Sequence, residues 1–148
     1  MTVAFDSDVL IYAAAPENEL GRRVRDIFHE AGPDTVGIGS VLLLPETLTK
    51  PDRLGADDER ARLVVLLNRI DLRPCDSRTA TDALVLAVKY GLKAADAVHL
   101  ATAIGAGADR FLTNNRRDFP KTIEEIDIVY PDDLPEPVVP SEPERGEP

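Results

Sequence analysis

The sequence predicts an α/β fold with a central, mainly parallel sheet. Three observations carry this. Short apolar runs alternate with segments of helical periodicity, the pattern of strand–helix–strand units. A length of 148 residues suits one domain around a single core. Acidic residues stand just beyond several of the apolar runs, and open parallel sheets gather their ligands at the carboxyl ends of their strands.

The elements follow in order. Residues 3–5 read as a short buried strand. Residues 9–14 begin a helix, with Asp8 placed to cap it. In residues 20–30, Val24, Ile27 and Phe28 recur at helical spacing, and Arg22, Arg23 and Arg25 occupy other faces. Gly32, Pro33 and Asp34 break the chain before a second strand at 36–39. Ser40 is then expected to cap a helix running to Thr49, with Pro51 stopping it. Residues 57–69 form an amphipathic helix, followed by a short strand near Leu72. Ser77 is expected to cap a helix through Tyr90 that Gly91 ends. Residues 93–106 make an Ala-rich helix whose small side chains permit close packing. Two more strands are expected at 110–112 and 126–129, and no internal repeat is apparent.

Charge divides the chain into a domain at 1–130 and a tail at 131–148. The net charge is −10, and half of it falls in the last 18 residues, where Asp132, Asp133, Glu136, Glu142, Glu144 and Glu147 face one base, Arg145. That tail also holds half of the twelve prolines. Such a segment buries too little apolar surface to offset its ordering entropy, so disorder is expected. The acidic balance excludes a broad nonspecific nucleic-acid surface but not a local basic rim. No apolar run is long enough to span a membrane, and no basic stretch leads into an apolar one at the N-terminus. Cys75 is alone, so no internal disulfide forms and a reducing, cytoplasmic setting is expected.

Four acids stand beside apolar residues, where a lone charge is costly. Asp6 ends the first strand, and Glu46 lies in "SVLLLPETL". Asp96 lies in "LKAADAVHLATAI", and Asp118 in "FLTNNRRDF" past the fourth strand. Acids converging on one pocket repel each other, and a divalent cation removes that penalty. Mg²⁺ or Mn²⁺ suits an all-oxygen site and supports hydrolysis of a phosphodiester by an activated water.

The order and spacing of "FDSDVLIY", of Glu46 after Ser40, of "AADAVHLATA" and of "FLTNNRRDF" resemble the PIN-domain ribonucleases, especially their VapC-like toxins, over roughly residues 2 to 130. The resemblance implies a three-layer α/β/α PIN-like fold and metal-dependent endoribonuclease activity. It also implies an RNA substrate, frequent homodimers and an antitoxin protein as partner. The family's first three acids fall on Asp6, Glu46 and Asp96. In the loop after the fourth strand, Asn115 stands where Asp is common, and Asp118 matches a further acid. An Asn carbonyl still ligates a metal or holds its water, with one negative charge fewer. The expected catalytic set is therefore Asp6, Glu46, Asp96 and Asp118, with Asn115 joining them around Mg²⁺ (or Mn²⁺). Thr113, Arg116 and Arg117 are expected to meet substrate, the arginines through RNA phosphates.

Plainer readings stand beside these. The lesser readings are a turn or cap role for Asp6, an i,i+4 pairing with Lys50 for Glu46, and a first-turn acid favoured by the helix dipole for Asp96. His99, one turn after Asp96, is read as a hydrogen-bonded packing residue rather than a ligand. Two rival functions remain. A degenerate PIN domain would act as a binding or assembly module, which Asn115 favours. Asp6-x-Asp8 after an apolar strand also resembles haloacid-dehalogenase-type phosphatases, but Val9-Leu10 follows instead of Gly-Thr.

Overall fold

The computed structural model describes residues 1–136. Five parallel strands form one sheet in the order β3-β2-β1-β4-β5. They are β1 (Val3–Phe5), β2 (Gly37–Ser40), β3 (Ile70–Arg73), β4 (Arg110–Leu112) and β5 (Asp127–Val129). Six helices connect them: α1 (Ser7–Ala14), α2 (Glu19–Glu30), α3 (Leu43–Leu54), α4 (Asp57–Leu67), α5 (Ser77–Tyr90) and α6 (Ala94–Gly105).

β2 is buried throughout and the other strands in part, and period-2 alternation sends neighbouring side chains to opposite faces. Phe5, Leu112 and Val129 pack with α1 to α4 on one side. Ala4, Phe111 and Ile128 pack with α5 and α6 on the other. These two cores make the three layers. Chain order reverses between β1 and β4, so the connections leaving those strands diverge and open a crevice at their carboxyl ends. Asp6 and Thr113 are the first residues past β1 and β4. The Asp6 amide donates to the Leu112 carbonyl at 2.9 Å, which continues the ladder into the crevice.

Glycine sets two close approaches. A Cβ on Gly21 would lie 2.0 Å from the Tyr12 carbonyl oxygen, so α1 and α2 meet backbone to side. A Cβ on Gly37 would lie 2.2 Å from the Val3 carbonyl oxygen, between β1 and β2.

Several helix ends differ from expectation. Asp6, not Asp8, caps α1, with its carboxylate accepting from the Ser7 amide. Ser40 closes β2, and its hydroxyl accepts from the Leu42 amide, a turn that precedes α3 rather than capping it. Pro51 does not stop α3, which runs to Leu54 and ends at Gly55 in the left-handed conformation. Asp76 rather than Ser77 caps α5, accepting from the Thr79 amide at 2.9 Å, and Gly91 ends it as expected.

The start of the expected tail packs on the domain. Pro131–Asp133 forms a single 3-10 turn, and Leu134 is buried in the core beneath α2. Arg23 donates to the carbonyls of Asp132 and Leu134. Residues 131–136, just past the expected boundary at 130, thus contact the domain. The remainder of the expected disordered tail, 137–148, lies outside the described residues. Among the described residues, no helix is long and apolar enough to cross a membrane.

Candidate active site

β1 delivers Asp6 into the crevice, and burial of the strand end carries the side chain with it: only 5% of its surface is exposed. Its two oxygens are both engaged. Oδ1 accepts from the Ser7 amide, and Oδ2 accepts from the Thr113 hydroxyl at 2.8 Å. Burial nonetheless holds its pKa above the usual carboxylate range, against the opposing pull of His99 and these hydrogen bonds.

α3 brings Glu46 to the same place from β2, and α6 brings Asp96 and His99. These helices bury Thr47 and Ala97 beside them, leaving Glu46 and Asp96 more exposed than those two neighbours. His99 is buried, and its Nε2 bonds Glu46 Oε1. Burial alone would depress the His99 pKa; the Glu46 hydrogen bond and the charges of Asp6, Glu46 and Asp96 outweigh it and raise the net value. Asp96 is raised by its own burial and by repulsion from Asp6, Asp118 and Glu46. No Glu46–Lys50 ion pair occurs among the described residues.

The loop after β4 supplies the remainder. Asn115 and Asp118 are tied together: Asn115 Nδ2 donates to Asp118 Oδ2 at 2.9 Å, and the Asp118 amide donates back to Asn115 Oδ1 at 3.3 Å. The Asn115 amide donates to the Thr113 hydroxyl at 3.0 Å, so Thr113 links this loop to Asp6. Asp8 joins the group as well. Its Oδ2 accepts from the Asn114 amide at 3.0 Å, while its buried Oδ1 has no hydrogen-bond partner among the described residues. Burial and the neighbouring Asp6 charge push its pKa up to about 7.

Asp96 thus stands within reach of the charges of Asp6, Asp118 and Glu46, and Asp6 within reach of Glu46. The two arginines part company. Arg116 bonds the Asp132 carboxylate and stacks over the Tyr130 ring, 4.6 Å from its centroid. Arg117 is exposed, with no ion pair among the described residues. Two features escaped the sequence reading. Asp8 was assigned to a cap that Asp6 provides. The Glu46–His99 contact joins residues far apart in sequence, and its one local signal was a histidine one turn past Asp96.

The donor chemistry fits a hard divalent cation: several carboxylates, a hydroxyl and an amide carbonyl, with Asp96 raised by burial and by repulsion from its neighbours. As the side chains stand, no three His, Cys, Asp or Glu groups among the described residues are close enough together to hold an ion. Glu46 is turned onto His99, and Asp118 onto Asn115.

The profile of the PIN domain family matches residues 3–125, most of the chain, and the chain belongs to that family. Its fold is that of chains from three solved assemblies. One is a toxin-antitoxin complex from Klebsiella pneumoniae (23% identity, TM-score 0.68). The others are VapBC2 from Rickettsia felis bound to a DNA fragment from its promoter (16%, 0.69) and DNA-bound VapBC from Salmonella typhimurium (19%, 0.69). Each match covers 88% of this chain and 98% of the other. No curated protein matches the chain. Family membership supports a nuclease, hence a hydrolase, and leaves the phosphatase reading without support.

Proposed function

We propose that the protein is a metal-dependent endoribonuclease that hydrolyses RNA phosphodiester bonds, and that it is the toxin of a toxin–antitoxin pair. The observation that supports this is that Asp96, beyond the carboxyl edge of the sheet, lies within reach of the charges of Asp6, Asp118 and Glu46. Asp6, Glu46, Asp96, Asn115 and Asp118 are the residues that would hold Mg²⁺ or Mn²⁺. When bound, the ion supplies Lewis acidity toward a phosphoryl oxygen and lowers the pKa of a water.

The chain's own groups do the remainder. Thr113 and the Ser7 amide fix the Asp6 carboxylate, so it enters the site without further loss of rotamer freedom. His99 aims Glu46 across the opening between α3 and α6. Exposed Arg117, without an ion pair among the described residues, would meet a phosphate, and Arg116 would do so on releasing Asp132. Few aromatics are present, so the backbone rather than stacked bases would dominate contact.

An antitoxin protein and a second copy are the proposed partners. The VapBC names of the similar structures support the first. Exposed Leu84, Val85 and Val88 along α5 supply an apolar surface for association. The degenerate-module reading keeps one specific observation: the Asn115 amide, not a carboxylate, faces Asp118. Incubating a labelled RNA with the protein, with Mn²⁺ and then with excess EDTA, separates the two. Cleavage abolished by EDTA and restored by the ion supports the nuclease. Metal binding without cleavage of any RNA supports the module.

A further inference from the structure

Asp8 has no role in the nuclease reading, yet it bridges two distant parts of the chain. It lies in the first turn of α1, where Asp6 already provides the cap. Its Oδ2 instead accepts from the Asn114 amide, 106 residues away. Four residues on, the Tyr12 hydroxyl accepts from Asn114 Nδ2 at 3.4 Å. Positions i and i+4 share a helix face, so α1 grips Asn114 by its backbone and its side chain together.

Asn114 is the hinge of the loop that carries Asn115, Arg116, Arg117 and Asp118. On its β4 side, the Thr113 amide is held by the Val129 carbonyl at 3.1 Å. On the far side, the Phe119 amide is held by the Asn115 carbonyl at 2.9 Å. Between those two anchors, the Asp8 contact is what fixes the backbone against α1. It ties to α1 the segment that carries Asp118, beside the Asn115–Thr113–Asp6 link.

We propose that Asp8 is a positioning residue of the active site, holding the loop after β4 through the Asn114 amide rather than binding metal or substrate itself. The proposal rests on the nuclease reading for its consequence, but its geometry is separately measurable. The role needs a hydrogen-bond acceptor at Oδ2 and does not need a charge. An asparagine supplies that acceptor and an alanine does not. A direct metal ligand would behave otherwise, since an amide binds a hard cation less well than a carboxylate.

The test compares wild type, Asp8→Ala and Asp8→Asn in the full chain, by amide hydrogen exchange at Asn114–Asp118 and by RNA cleavage with Mn²⁺. Losing one partly buried hydrogen bond should speed exchange of the Asn114 amide about tenfold or more in Asp8→Ala, with a similar fall in cleavage. Asp8→Asn should return both to within about threefold of wild type, because the acceptor is retained. Impairment of Asp8→Asn equal to that of Asp8→Ala would overturn the proposal in favour of a charge requirement, and so would wild-type exchange in Asp8→Ala. If Asp8→Ala does not fold, Asp8→Asn alone decides: near wild type upholds the role, and tenfold loss overturns it. If the wild type cleaves no RNA, the nuclease reading fails, while the exchange data still judge the Asp8 contact.

Discussion

Asn115 stands where the resemblance in sequence implies an acid, and its surroundings show what the amide does there. Its amide donates to Asp118 and its carbonyl accepts from the Asp118 backbone, so it neutralises part of that carboxylate's demand for a donor. Asn115→Asp replaces the donor with a second negative charge. The variant should melt lower than wild type in EDTA, by about 1–2 kcal/mol of stability, and gain more than wild type from Mn²⁺. Equal melting temperatures with and without the ion would place Asn115 outside the metal's influence. A pH dependence belongs to the same scale. Burial raises Asp6 and Asp96, and lifts Asp8 to about 7. An acid raised by folding contributes stability below its unfolded value, and that stability is lost as pH climbs through the folded value. His99, also raised, has the same sign. The lowered carboxylates Asp76, Glu125 and Asp133 act oppositely, with their stability lost as pH falls below the ordinary carboxylate range. The melting temperature of the chelator-treated protein should therefore fall between about pH 4 and pH 7, with Asp8→Asn flattening the slope. A curve that rises through that window would contradict these assignments.

At the scale of elements, the segment after β5 decides where the domain ends. Leu134 sits in the core beneath α2, and Arg23, Arg116 and Lys121 all reach the residues around it. Deleting residues 131–148 should cost about 2–4 kcal/mol, the range for emptying a buried leucine site. Deleting only 137–148 should leave the melting temperature unchanged, because none of those contacts is lost. A denaturant melt of the two truncations checks both. Composition suggested one boundary at 130 because prolines and acids begin there, whereas the core contact is a single leucine among them. Helix ends were legible where glycine ends them, as at Gly91, since its left-handed conformation follows from the residue itself. The caps of α1 and α5 were each displaced: Asp6 and Asp76 each stand beside another good capping residue, and propensity does not choose between neighbours. Pro51 was misread because a proline in the last turn of α3 removes an amide without ending the helix.

For the whole molecule, alternation of apolar runs with helices gave the parallel sheet, and the rule for strand ends put Asp6 at its carboxyl edge, where the structure has it together with Thr113. The strand order, the Glu46–His99 contact and the Asp8–Asn114 contact were not legible, because each depends on which connections pass over which face. The central claim is that the acids on that edge form one metal-dependent cleaving centre. Its most direct measurement is the rate of RNA cleavage against Mn²⁺ concentration for wild type and Asp96→Asn, prepared alike and shown to have the same fold. The account predicts saturable, EDTA-sensitive cleavage by wild type and a loss of about a hundredfold or more in Asp96→Asn, since both ion placement and water activation depend on that carboxylate. Wild-type cleavage that Asp96→Asn retains in full, or that persists in excess EDTA, would contradict it.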